Sequence, residues 1–211
     1  MARAAVTDHR SGRLVFVAHC ILNQNTAASG LVKEEYPCAV WDLLDLCKAR
    51  GVGVEQLPCP EFLLVGYPRD ARTKTEYEKE GLRVLCSALA GEVADRIARF
   101  RRAGLNVVGI VGVARSPSCG VREVYVGPSR GAQRLAREPG IFVEELQREL
   151  GRRGISVPFL EWDFRGKEEA LSELSRLLAK RRGGAVGTPP AGPHHAAHGH
   201  RRRDKARRHG E

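Results

Sequence analysis

The 211-residue sequence is short of several things, and each shortage excludes a class of protein. No apolar run approaches the length that spans a bilayer, so nothing argues for a transmembrane helix. The first residues, MARAAVTDHRSGR, are basic but lack an apolar stretch behind them, which argues against a secretory signal. The expected compartment is therefore the cytoplasm, where six cysteines read as thiols or metal ligands rather than disulfides. No CxxC pair occurs, which argues against a zinc ribbon or a thioredoxin-type site. No internal repeat is present either.

What remains is an ordinary globular composition, with 42% hydrophobic and 28% charged residues. The expected organisation is one domain over residues 1–182 and a basic tail over 183–211. The tail is rich in Gly, Pro, Ala and His and has no large apolar residues, so it is expected to be disordered. It holds five of the seven histidines and carries a charge of +4 out of the total +10. Its arginines suit either plain solvation or a non-specific contact with RNA.

The body alternates strand and helix patterns. Apolar runs at 14–20, 53–61, 106–120 and 155–163 read as strands. Helical spacing predicts helices over 38–51, 75–104, 137–154 and 167–182, with an interruption of the long second one near Gly81 or Gly91. The expected fold class is α/β: a Rossmann-like parallel sheet with helices on both faces.

In such sheets ligands bind at the carboxyl ends of the strands. Cys20, Cys59 and Cys119 fall at or just past three predicted strand ends, so three thiols distant in sequence should converge on one edge. Pro58, Pro60 and Pro117 end the ladder at a set angle there. Cys47 and Cys86 lie among leucines at helical spacing and read as small core residues, and Cys38 reads similarly. Three converging thiolates could hold zinc, with His19 as a fourth ligand, or a cubane iron–sulfur cluster. His19 adjoins Cys20 in the predicted strand and so points to the opposite face, which favours packing over ligation.

The segments AHCILN, LPCPE and RSPSCG stand in an order and spacing that resembles the thiouracil desulfidase family over roughly residues 14–163. The Cys-Pro-Glu and Ser-Pro-Ser-Cys-Gly motifs are intact. The first motif departs from the family pattern: Cys20-Ile21-Leu22-Asn23 replaces Cys-Leu-Leu, and the Gly and Arg-Tyr pair usual downstream are missing. VGYPRD, residues 65–70, partly matches the family's Pro-Arg segment. The chain therefore looks like a divergent branch.

The resemblance implies a [4Fe-4S] cluster held by Cys20, Cys59 and Cys119, with one iron open. It also implies removal of sulfur, without net redox change, from a thiolated pyrimidine base, nucleoside or RNA. A soft thiocarbonyl sulfur suits an open iron, which would polarise the C=S carbon toward water. Water attack needs a base, and Glu61 is the best placed carboxylate, with Glu161 and Asp163 as alternatives. Glu61 reads equally well as an ion-pair partner or a helix N-terminal charge. Ser116 and Ser118 could hydrogen-bond the base ring or the cluster sulfides, although Ser118 reads more readily as a turn or cap hydroxyl. The competing expectation is a non-catalytic, RNA-associated or regulatory module whose three cysteines hold zinc or a cluster for structure alone.

Overall fold

The computed structural model describes residues 8–179. The tail over 183–211, with its expected disorder and RNA contact, lies outside the described residues. Four strands form one parallel sheet: β1 (Arg13–Val17), β2 (Gly53–Gln56), β3 (Asn106–Val113) and β6 (Phe159–Trp162), in the order β2-β1-β3-β6. Two short strands, β4 (Val124–Val126) and β5 (Arg134–Ala136), pair antiparallel as a separate hairpin. The helices are α1 (His19–Leu22), α2 (Trp41–Ala49), α3 (Pro60–Val65), α4 (Lys74–Lys79), α5 (Leu82–Arg102), α6 (Ile141–Arg152) and α7 (Lys167–Ala179).

The apolar runs form the strands because both sheet faces are covered. Val15, Phe16 and Val17 are wholly buried. Phe16 meets Phe100 of α5 edge-to-face at 6.2 Å, so α5, with α6 against it, covers one face. Val15 pairs with Gly109, whose neighbours point the other way. There α7 lies over Gly109 through Leu177, with α2 beside it. None of the described helices is long and apolar enough to cross a membrane.

Several expected boundaries move. The predicted strand 53–61 ends at Gln56; Cys59 then caps α3, with Pro60 in its first turn. Proline is well suited to a first helical turn, because its missing N–H has no partner there in any case. The strand at 14–20 ends at Val17, so Cys20 lies on α1 and not on a strand. Likewise the strand at 106–120 ends at Val113, before the Ser-Pro-Ser-Cys turn. The long helix breaks at Gly81 and not at Gly91. Gly81 adopts φ +83°, a left-handed conformation that side chains resist. Upstream of that break, α4 begins with a capping box between Thr73 and Glu76.

The strand order places the reversal of winding at the centre of the sheet. From β1 the chain crosses outward to β2, then returns to β3 on the other side of β1. The carboxyl ends of β1 and β3 therefore flank the crevice where open α/β sheets bind ligands.

Candidate active site

A cavity of about 230 Å³ opens at that crevice. All six sequence-predicted site residues line it: Cys20, Cys59, Glu61, Ser116, Ser118 and Cys119. Each arrives by a different local device. Ala18 still donates to the Val111 carbonyl at 2.8 Å, after which α1 turns Cys20 inward. Cys59 takes the N-cap position of α3, and its Sγ accepts from the Phe62 N–H at 3.4 Å. Glu61 follows in the first turn, where the helix dipole favours its charge.

Cys119 depends on a tightly folded turn. Ser116 Oγ accepts from the Cys119 N–H at 3.0 Å, and Gly120 N–H donates to the Ser116 carbonyl at 2.9 Å. The open N–H groups at the start of α6 close the turn from outside. Ile141 donates to the Pro117 carbonyl at 2.9 Å, and Phe142 and Val143 donate to the Ser118 carbonyl at 3.0 and 3.2 Å. This close packing needs glycine on both sides. A Cβ at Gly112 would lie 2.0 Å from the Cys119 carbonyl oxygen, and one at Gly140 would lie 2.4 Å from the Ser118 carbonyl carbon.

Glu61 is buried and fully engaged. Its Oε1 accepts from Ser118 Oγ at 2.5 Å and Ser116 Oγ at 3.3 Å. Its Oε2 accepts from the Tyr77 hydroxyl at 3.3 Å and faces Arg69 Nη2 at 3.6 Å. Ser118 is thus a partner of Glu61 and of the Cys119 sulfur, 3.5 Å away, and not the turn hydroxyl expected; that part belongs to Ser116. Glu161 and Asp163, the alternative bases, do not line the cavity. Glu161 accepts from the Val121 and Arg122 N–H groups, and Asp163 pairs with Arg115.

Arg69 and Tyr77 were not among the predicted site residues. Arg69 is 7% exposed and donates to the Thr26 carbonyl, and its Nη2 lies 3.8 Å from Cys59 Sγ. VGYPRD carried the signal for it; Tyr77 sits in the polar-looking TEYEKE and carried none. His19 shares the first turn of α1 with Cys20, so the strand argument that separated them does not hold. Its ring stacks on Phe62 at 6.3 Å, and it also lines the cavity, with its buried Nε2 lacking a hydrogen-bond partner among the described residues. Cys47 and Cys86 are buried in the core, as expected, whereas Cys38 is exposed.

All six thiols are free. Burial pushes the Cys20 thiol up to about 12, and the nearby Cys59 and Glu61 add to the rise. Burial likewise raises Cys119, helped by Cys59 and Cys20. Cys59 is raised by burial and by Glu61, against the Phe62 N–H and Arg69. Three sulfurs close enough to repel one another's charge, in a desolvated pocket, form a site that a cationic, thiophilic group would relieve. Among the described residues, no group of three or more His, Cys, Asp or Glu is arranged to hold a single metal ion.

The chain is similar to known proteins along most of its length. A family model described as "Putative 2-thiouracil desulfurase" matches residues 12–146, more than half of the chain. An uncharacterized protein of Methanocaldococcus jannaschii is 26% identical over 156 residues, covering 74% of this chain and 89% of the relative. A solved structure of the [4Fe-4S]-dependent thiouracil desulfidase TudS aligns at 20% identity and a TM-score of 0.47, covering 79% of this chain and 97% of that one. The family match spans both intact motifs and all six predicted site residues, and by it the chain belongs to the 2-thiouracil desulfurase family, as a divergent branch.

Proposed function

We propose that this protein is an iron–sulfur-dependent desulfidase that replaces the sulfur of a thiolated pyrimidine by oxygen, without net redox change. The carrying observation is the convergence of Cys20, Cys59 and Cys119 on one cavity whose only carboxylate, among the described residues, is Glu61. Free thiols suit a reducing, cytoplasmic setting. The reaction is a hydrolysis: a C=S group and water give a C=O group and hydrogen sulfide.

The donor set fits a [4Fe-4S] group better than zinc. Three soft sulfurs share the cavity with His19 and Glu61, but His19 stacks on Phe62, Glu61 is engaged by Ser116, Ser118 and Tyr77, and among the described residues no three of these groups are gathered around one ion. A polynuclear group spreads its thiolates over several metals. Cys20, Cys59 and Cys119 would hold it, leaving one iron open, and such a group supplies a Lewis acid for the thiocarbonyl sulfur.

The chain's own residues supply the rest. Glu61 takes a proton from the attacking water. Ser118, Ser116 and Tyr77 hold its carboxylate in place, and Arg69 offsets its charge beside the thiolates. The apolar walls exclude bulk water and strengthen these contacts. A purely structural three-cysteine site is the weaker reading, because structural metal sites are closed and this one opens onto a cavity with a buried carboxylate.

The test is anaerobic purification with iron and sulfide analysis, then sulfide release from 2- and 4-thiouracil without an electron donor. Release by loaded protein supports the reading. A loaded protein that releases no sulfide from any thiolated base, nucleoside or tRNA would leave the structural-site reading in its place.

A further inference from the structure

The end of the sheet opposite the cavity carries an unbalanced positive charge. The four strands are parallel, so their amino ends share one pole, and α2, α5, α6 and α7 all finish there. The eight residues of β3 set that pole roughly 25 Å from the cavity. In the last turns of these helices and the loops beside them, the carboxylates among the described residues are Asp8 and Glu149. Both are held, Asp8 by Arg10 and Glu149 by Arg152 and Arg153. Five exposed cations remain: Lys48 and Arg50 at the end of α2, Arg99 and Arg102 at the end of α5, and Arg176 in the last turn of α7. None of the five forms an ion pair among the described residues. Arg50 and Arg176 donate to the Ser175 and Ser172 hydroxyls, and Arg99 lies near Asp95, which Arg153 holds.

Helix dipoles do not account for this surplus. The carboxyl end of a helix carries about half a negative charge. Yet α5 alone ends in Arg99, Arg101 and Arg102, with no acid in its last turn. Like charges gathered on one face repel one another unless a polyanion covers them. The sequence past α7 adds to the charge, with Lys180, Arg181 and Arg182 directly after Ala179. The pole also lacks exposed large apolar side chains among the described residues. Those that are exposed, such as Trp41, Tyr67 and Val84, all follow strand carboxyl ends, on the cavity side.

We infer that this pole is a second binding surface, for the phosphate backbone of a nucleic-acid duplex. The cations lie on both sides of the sheet, with α5 over one face and α2 and α7 over the other, so the ligand must be extended and carry several charges. Four of the five are arginines, whose planar forks match phosphate oxygens. A membrane surface fits less well, because interfacial binding needs an apolar face to bury. Single strands are held by stacking bases on aromatic rings, and no exposed Phe, Tyr or Trp stands here among the described residues. What is left is contact with phosphates alone, which carries no sequence preference. A duplex bound at this pole leaves the cavity open, and the inference does not rest on the desulfidase reading.

The experiment follows the fluorescence anisotropy of labelled, mixed-sequence RNA and DNA duplexes titrated with the full chain between about 50 and 200 mM salt. Binding should weaken with salt along a log–log slope steeper than about −4, as five released counterions require. Arg99→Gln/Arg102→Gln and Lys48→Gln/Arg176→Gln should each flatten that slope by about 2 and weaken low-salt binding roughly 10-fold. Arg99→Lys/Arg102→Lys, which keeps the charge, should keep the slope. A circular dichroism melt confirms that each variant is folded. The tighter of the two duplexes identifies the nucleic acid. Arg130→Gln/Arg165→Gln, at the cavity mouth, should bind as the wild type does; a loss there, with none at the pole, overturns the assignment. So does binding unaltered in both folded pole variants, which would assign it to residues 183–211. A single strand that binds more tightly than either duplex overturns the duplex. Capture by phosphatidylserine vesicles that the pole variants lose, with no duplex bound, would give the face to a membrane. Because no turnover is read, duplex binding stands or falls apart from sulfide release.

Discussion

The hydroxyl of Ser118 lies 2.5 Å from Oε1 of Glu61, joining two residues 57 positions apart. The contact ties the two intact motifs to each other, since Glu61 ends Cys-Pro-Glu and Ser118 precedes the cysteine of Ser-Pro-Ser-Cys-Gly. It also orders the site. A carboxylate that moves relative to Ser118 also moves relative to the Cys119 sulfur, which Ser118 touches at 3.5 Å.

Glu61→Gln is the direct probe of the proposed base. Glutamine keeps the shape and still accepts from Ser118, but it cannot take up the proton. The variant should retain iron and lose turnover by a factor of about 10²–10⁴, the usual weight of general base catalysis. Steady-state sulfide release on iron-normalised protein reads this. A wild-type rate would make Glu61 purely structural.

Ligation separates the cysteines into two sets. Cys20→Ala, Cys59→Ala and Cys119→Ala should each abolish the visible absorption of anaerobically reconstituted protein. Cys47→Ala and Cys86→Ala should keep it, because both side chains are buried in the core and neither lines the cavity. Loss of absorption in either of the last two, with folding intact, would contradict the assigned ligand set.

Acid should weaken the fold through α6. Burial tends to raise the Glu144 carboxyl, but hydrogen bonds from Arg83 and Lys74 outweigh it and hold the group below its ordinary value of 4.5. The unfolded chain therefore binds this proton more readily than the folded one. The stabilisation is complete above about pH 5 and is lost as pH falls through the folded value. Urea midpoints measured from pH 6 down to pH 3 should decline, and Glu144→Gln should flatten that decline. An unchanged slope in the variant would show that Glu144 carries none of it.

The sheet was legible in the sequence because buried parallel strands are written as apolar runs, as LVFV and VVGIVGV are. Their ends were harder to place. In CPEFLLV the apolar residues continue past Cys59, and periodicity cannot separate a strand tail from one and a half helical turns. The β4–β5 hairpin went unseen because strands of three residues carry too little pattern. The three thiols were legible because they follow strands, a matter of chain order. Arg69 and Tyr77 were not, because their part in the site depends on how the segment after α3 folds back over the cavity. Pairing across space leaves no mark on spacing.

The turn that presents Cys119 offers the last prediction. It is enclosed by backbone on two sides, β3 at Gly112 and the start of α6 at Gly140. A methyl group at either position meets main-chain atoms, 2.0 and 2.4 Å away, which cannot rotate aside as a side chain would. Gly112→Ala and Gly140→Ala should therefore each destabilise the protein by about 3 kcal/mol or more, at the upper end for overpacking. Gly151 is the control. It lies in α6, the helix that Gly140 caps, and a methyl group there would meet nothing within 4 Å. As a helical glycine it should gain up to about 1 kcal/mol on replacement by alanine. Denaturant unfolding of the three variants orders them. If Gly112→Ala and Gly140→Ala melt like Gly151→Ala, the turn yields to a methyl group, and the close approach of backbone to backbone is not what fixes Cys119.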